Sequence, residues 1–161
     1  HWGFLGSDQY TLAALEALAR IREKQGRFDE AARLMERIIP LKESPAPEWI
    51  RLGELEMAMT DNPGAIRAFE EARKLQGDAF DRYIELGVCY LAAQRPAEAA
   101  RALDRVPRNH PGYAMALFKR AQVSVLLGEP DWQQRVQLAY EVADPEIRRM
   151  IESEPLFQGT R

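Results

Sequence analysis

The sequence predicts an all-α protein built from stacked antiparallel helix pairs, and three observations carry that expectation. Apolar and small residues recur at helical spacing: Tyr83, Leu86, Gly87 and Tyr90 fall at i, i+3, i+4 and i+7, which places them on one helix face. Short turn signals at Gly26, Asn62-Pro63, Arg95-Pro96 and Gly128 cut the chain into segments of hairpin length. The chain also repeats itself, since Ala31, Ala65 and Ala99 stand at a constant interval of 34 residues. The same interval aligns Leu18, Leu52 and Leu86, then Ala19, Gly53 and Gly87, then Met35, Phe69 and Leu103, then Ile38, Ala72 and Val106. Small residues at fixed places let two helices approach, and large ones fill the space beside them.

Taken in order, residues 1–11 are an N-terminal extension and helix start. Ser7 is expected to cap a helix beginning at Asp8, with Trp2, Phe4 and Leu5 folding back over the open face of the first copy. Copy one, 12–45, has Leu15, Leu18, Ala19 and Ile21 on its first helix and GRFDEAARLMERII across the turn and second helix. Pro40 predicts a kink or an early end near Ile38 and Ile39, and Pro45 and Pro47 stiffen the link that follows. Copy two, 46–79, carries Trp49, Leu52 and Gly53, then Ala65, Phe69 and Ala72. In copy three, 80–113, the turn falls at Gln94 and Arg95, and Pro96 opens a second helix lined by Ala99, Leu103 and Val106. Copy four, 114–143, keeps Leu117, Ala121 and Gly128 but has Gln133 at the small-alanine place; Trp132, Val136, Ala139 and Tyr140 still form an apolar stripe. In residues 144–161, Asp144-Pro145 starts a capping helix whose Ile147, Met150 and Ile151 are expected to cover copy four. Leu156 and Phe157, after Pro155, then either tuck against that helix or enter a neighbouring molecule's groove. The whole reads as one domain.

Composition narrows the function. Nearly half the 161 residues are apolar and under a third are charged, enough to bury a core. A net charge of -3 with acids and bases interspersed offers no basic stripe for nucleic acid and no polybasic block for a membrane surface. No apolar run approaches the roughly 20 residues of a membrane span, so a soluble chain without direct membrane insertion is expected. Cys89 is the one cysteine, which rules out an internal disulfide and permits either cytosol or periplasm. The opening HWGFLG lacks a starting methionine and suggests a processed or excised piece, so the localisation is not readable.

Helix-turn-helix units of this period, carrying Trp49, Leu52, Gly53, Ala65, Phe69 and Ala72 in one copy and Tyr83, Leu86, Gly87, Tyr90 and Ala99 in the next, resemble the tetratricopeptide repeat family. The resemblance runs from about residue 12 to 143. It implies a right-handed superhelical α-solenoid whose first helices line a concave groove for a peptide or helix of a partner protein. Mapped through the repeat, that groove presents Ala13, Glu16, Ala17 and Arg20 from copy one and Ile50, Arg51, Glu54 and Met57 from copy two. Copy three adds Ile84, Glu85, Val88 and Leu91, and copy four adds Met115, Phe118, Lys119, Gln122 and Val125. The row is polar at the start and apolar from Ile50 onward, with Met57 and Phe118 expected to be the freest. The lysine and asparagine clamp of the chaperone-binding members is missing, since Glu16, Arg20 and Arg51 stand at those places; an amphipathic helix or extended apolar peptide fits better than an acidic chain end.

No catalytic, metal or cofactor-binding set is expected. His110 lies in the loop VPRNHPGY without partners at ligand spacing, and Cys89 reads as a small buried hydrophobe rather than a reactive thiolate. The sequence therefore points to a non-catalytic interaction scaffold whose partner is a protein, a peptide or a second copy of the chain. A repeat-bearing segment of a larger enzyme, and a bacterial secretion chaperone, are the alternatives.

Overall fold

A computed structural model describes residues 2–159, with side chains from Thr11 onward. Every regular element among the described residues is helical. The chain forms two compact units that meet in sequence at Phe80 and Asp81. The first contains α1 (Trp2–Lys24), α2 (Phe28–Ile38), α3 (Ala46–Ala58) and α4 (Asn62–Gln76). The second contains α5 (Tyr83–Ala92), α6 (Pro96–Leu103), α7 (Tyr113–Leu127), α8 (Trp132–Val142), α9 (Pro145–Ser153) and the single turn α10 (Pro155–Gln158). Within the first unit α1 pairs with α2 and α3 with α4, and α2 packs on α3; within the second, α5 pairs with α6 and α7 with α8, and α6 packs on α7.

The four interhelix turns are one structure repeated. Gly26, Thr60, Gln94 and Gly128, each 34 residues from the next, all adopt positive φ, at 71°, 59°, 59° and 68°. The following N–H reaches back five residues every time: Arg27 to Arg22 O, Asp61 to Glu56 O, Arg95 to Tyr90 O and Glu129 to Ser124 O, at 2.8–2.9 Å. This closes the last turn of each first helix and satisfies a carbonyl that would otherwise be orphaned. Glycine at two of these places was legible as a turn signal, and the turn at Gln94 was expected ahead of Pro96; the positive φ of Thr60 and Gln94 was not legible.

Helix starts use capping carboxylates and prolines. Asp61 accepts from Gly64 N–H at 3.1 Å and Asp144 from Ile147 N–H at 2.9 Å, while Pro63, Pro96 and Pro145 stand in first turns where a missing N–H costs nothing. Pro40 acts as its ring dictates: α2 stops at Ile38 and a 3-10 turn, Ile39–Leu41, takes over. At the N-terminus the expectation fails. The helix is continuous from Trp2, so Ser7 is not an N-cap, because residues 2–12 contain no proline to interrupt the hydrogen-bond ladder. The expected folding back of Trp2, Phe4 and Leu5 concerns side chains outside the described residues.

Close helix approach explains the small residues. A Cβ added at Gly53 would lie 2.8 Å from the Phe69 ring, and one at Gly87 would lie 2.6 Å from Leu103; the same two repeat places meet in both units. Ala31, Ala65 and Ala99 are all fully buried. Copy four departs from this by sliding its second helix. Gln133 is exposed, and Val136, Ala139, Tyr140 and Ala143 follow Ala99, Ala102, Leu103 and Val106 at an interval of 37 instead of 34. A partly buried valine thus stands where the other copies have a fully buried alanine.

The second unit is closed by its own C-terminal segment. Ile151 of α9 is buried with Phe118, Ala139 and Ala143. Met150, expected to share that task, is exposed instead, because at 100° per residue Ile147 and Ile151 share the inner face and Met150 does not. Phe157 of α10 lies edge-on to Phe118, with centroids 6.0 Å apart, and stacks on Trp132 at 6.2 Å, so the apolar tail is tucked within its own unit.

Candidate protein-binding surface

The expected groove residues stand on the first helix of each pair, and the two units treat them differently. In the first unit Arg20 is exposed on α1, and Ile50 and Met57 are half-buried on α3. Arg51 and Glu54 are committed to each other: the Arg51 Nε donates to Glu23 at 2.9 Å and its Nη1 donates to Glu54 at 2.6 Å. Glu16 is similarly engaged, since Lys42 pairs with it at 2.7 Å and with Glu48 at 3.2 Å. Glu16 first and Glu48 second hold the Lys42 ammonium above its ordinary pKa. What the first unit leaves free on this face is a thin, mostly satisfied polar surface around Ile50 and Met57.

The second unit presents a longer apolar row. Ile84, Val88 and Leu91, at i, i+4 and i+7 of α5, are all half-buried, and Met115 and Lys119 of the neighbouring α7 are half-buried as well. Ile84 is steadied by the loop before α7, where a Cβ at Gly112 would come within 2.5 Å of its Cδ1. Lys119 extends over the Phe118 ring, with Nζ 5.3 Å from the centroid, and so presents its charge at the edge of the row.

Two expected groove residues do not belong to a free surface. Phe118 is only 2% exposed because α9 and the tail lie over it, and Gln122 is buried, its Nε2 donating to Glu154 at 2.6 Å. Repeat spacing could not show this, since it carries no information on where the non-repeating C-terminus folds. The apolar Leu156-Phe157 pair was the available signal.

Cys89 is buried, and burial, reinforced by Glu85, pushes its thiol pKa up to about 11, the opposite of what a nucleophile needs. His110 is occupied locally, its Nδ1 accepting the Gly112 N–H at 2.9 Å. Among the described residues no group of three His, Cys, Asp or Glu side chains could hold a metal ion, and no helix is long and apolar enough to cross a membrane.

Comparison with known proteins decides the family. Sequence profiles of the tetratricopeptide repeat match residues 14–46 in one case and residues 50–114 and 90–131 in another. The chain belongs to the tetratricopeptide repeat family. Its fold is similar to the crystal structure of MamA, with a TM-score of 0.72 at 20% identity over 91% of this chain and 84% of that one. It is also similar to a crystal structure of the nearly identical TPR-like repeats of a Podosopora anserina putative kinesin light chain, with a TM-score of 0.63 at 16% identity over 91% and 79% of the two chains. No curated protein matches the sequence. Tetratricopeptide repeats are in general protein-interaction scaffolds, so the half-buried apolar row is the feature of this chain to weigh.

Two buried charges escaped the reading of the sequence. Arg120 stands at the repeat place of Leu18, Leu52 and Leu86, and Glu56 at that of Tyr90. Both are buried. For Arg120 the signal was a charge at a place that the other copies fill with leucine; the place of Glu56 holds Arg22, Tyr90 and Ser124 in the other copies and gave no such signal.

Proposed function

We propose that this tetratricopeptide repeat chain is a non-catalytic scaffold that binds an apolar peptide or amphipathic helix of a partner protein, and that in its second unit the contact is made by Ile84, Val88 and Leu91 of α5 with Met115 and Lys119 of α7. The observation that carries this reading is the α5 row, three aliphatic side chains at i, i+4 and i+7 left half-exposed beside a methionine. Covering such a row releases roughly 25 cal/mol for each Å² taken from water, and Met115 adapts to varied side-chain shapes. Lys119 at its edge favours an acidic residue on the partner. In the first unit Ile50, Met57 and Arg20 are a weaker extension of the same kind, because Arg51 and Glu54 already satisfy one another.

The test is affinity capture with the whole chain and with a Val88→Glu, Leu91→Glu variant side by side. The expected result is at least one protein retained by the wild type and reduced tenfold or more by the variant, with helical content and melting unchanged. Identical captured sets would remove α5 from the binding surface. Phe118 is unsuitable for such a test, because substituting it breaks the core of the second unit.

A further inference from the structure

Ile50, Ile84 and Phe118 follow one another at 34-residue intervals on the first helices of three pairs, yet Ile50 and Ile84 are half-buried and Phe118 is 2% exposed. One turn further along the contrast repeats, since Glu54 and Val88 are half-buried and Gln122 is 8% exposed. The cover over Phe118 and Gln122 comes in two parts. Ile151 of α9 is buried with Phe118, Ala139 and Ala143 and closes the core of the α7–α8 pair. The segment beyond it is held differently. Glu154, in extended conformation, accepts from Gln122 Nε2 at 2.6 Å, and Pro155 then starts the single turn that sets Phe157 edge-on to Phe118 and stacked on Trp132. Leu156 and Phe157 remain half-buried. The turn is tied mainly to its own neighbours, with Glu154 Oε1 accepting from Leu156 N–H at 3.1 Å and Gln158 donating to the Glu152 carbonyl at 2.7 Å. Its fit is also incomplete, because Gln122 Oε1 is buried without a hydrogen-bond partner among the described residues.

We infer that residues Glu154 to Phe157 are a built-in ligand: within the second unit they occupy a peptide site made by Phe118, Gln122 and Trp132, and a partner segment of the same chemistry, a glutamate followed three places later by an aromatic residue, takes that site by displacing them. The glutamate accepts from the Gln122 amide and the aromatic ring enters between Phe118 and Trp132, as Phe157 does. A partner that also donates an N–H to Gln122 Oε1 satisfies a buried acceptor that the chain's own segment leaves unpaired, and so holds an advantage over it. The chain's own segment has the opposite advantage of being tethered, which sets an effective concentration on the order of millimolar that the partner must overcome. This site lies beneath the segment and is separate from the α5 row, so it stands whether or not that row binds anything.

The probe is a fluorescein-labelled, acetylated and amidated peptide copying Glu152 to Gly159, titrated with the whole chain and followed by anisotropy. An opened variant, Glu154→Ala with Phe157→Ala, should bind it saturably and at least tenfold more tightly than the wild type, a ratio that corresponds to a site free in at most about one wild-type molecule in ten. Gln122→Leu or Trp132→Ala, added to the opened variant, should weaken binding several-fold, and a peptide with alanine in place of its phenylalanine should not bind. In the wild type, saturating peptide should speed amide exchange at Leu156, Phe157 and Gln158, a readout that needs no substitution in the chain. No binding to the opened variant, equal binding by variant and wild type, or unchanged exchange overturns the inference. A loss of helical content in the opened variant would make the segment part of the core and overturn it as well. Adding Val88→Glu with Leu91→Glu to the opened variant tells the two surfaces apart: affinity kept supports the site, whereas affinity lost places the peptide on α5 and overturns it. A wild-type dimer in sedimentation velocity, dissociated by Glu154→Ala with Phe157→Ala, would make a second copy the donor of the segment and overturn displacement by a partner.

Discussion

Among the described residues each unit buries one charged side chain, on the first helix of its second pair, and the two are treated in opposite ways. In the second unit Arg120 is fully partnered: Nε donates to Asp104 at 2.9 Å, Nη1 and Nη2 donate to the two Glu129 oxygens at 2.9 and 3.1 Å, and Nη1 also donates to Ser124 at 2.6 Å. Burial by itself lowers the guanidinium pKa, and Glu129 with Asp104 more than offsets it, leaving a net upward shift. In the first unit Glu56 is packed against Gly64, where a Cβ would lie 2.8 Å from its carboxyl carbon, and its Oε2 has no hydrogen-bond partner. Burial, then the nearby Asp61, raises its pKa to about 7, Glu36 adding to the effect and Arg67 opposing it. A repeat can absorb a charge in its core where the neighbouring turn and the preceding helix supply counter-charges. Where the turn supplies another acid, the buried group is held near neutrality instead.

The largest expected effect comes from removing the partnered charge. Arg120→Ala should lower the unfolding free energy by about 3 kcal/mol, because it leaves a cavity and strips Glu129 and Asp104 of their cation. Arg120→Leu restores the side chain that copies two and three carry at this place and should cost less than half as much. Urea unfolding, with amide exchange in α7 and α8 to localise the loss, measures both. The pH response separates them from a plain packing change. The Arg120 guanidinium, then the Ser124 hydroxyl, hold Glu129 below the usual carboxylate range, so its contribution is present above the unfolded value near 4.3 and is lost as pH falls through the folded one. Both variants should therefore flatten the acid side of the stability profile. An acid limb as steep as the wild type's would mean that Glu129 is not stabilised by Arg120.

Glu56 sharpens the contrast from the other direction. Its raised pKa means that folding favours the protonated carboxyl, so its contribution is complete below about pH 4.5 and is lost as pH rises to about 7. Glu56→Gln keeps the shape and removes the charge. It should stabilise the protein by on the order of 2 kcal/mol at pH 8 and change little at pH 4, as read from melting at the two values. An equal shift at both would show that the gain is packing and not ionisation.

How far the sequence reaches follows the same division. Interval and residue size located the helix pairs, the small residues Gly53 and Gly87 as places of close helix approach and the early end of α2 at Pro40, because each is a local or repeated constraint. The α5 residues Ile84, Val88 and Leu91 were legible as a row from helical spacing alone. Phe118 and Gln122 were misplaced because α9 and α10 obey no repeat, and the slide of α8 was hidden because a turn can lengthen without disturbing the stripe inside the helix. The alignment marks Arg120 as a charge at a leucine place, but how Arg120 and Glu56 are partnered depends on what the following turn brings beside them, which spacing does not encode.

The four turns give the finest comparison, since they share one backbone and differ in side chain. Left-handed φ is free for Gly26 and Gly128 and strained for Thr60 and Gln94, most for threonine, whose branched Cβ crowds the backbone. Glycine also widens the unfolded ensemble, which subtracts from what relief of strain adds. Thr60→Gly should therefore stabilise the first unit by about 0.5–1 kcal/mol and Gln94→Gly the second by somewhat less, while Gly26→Ala and Gly128→Ala should each destabilise by about 1 kcal/mol. No side-chain cavity confuses the reading, because a Cβ at Gly26 or Gly128 would meet nothing within 4 Å and both Thr60 and Gln94 are exposed. Chemical denaturation of the four single variants ranks them. A loss of stability on Thr60→Gly would show that its hydroxyl bond to the Met59 carbonyl, at 2.6 Å, outweighs the backbone strain, and would set the second turn apart from the other three.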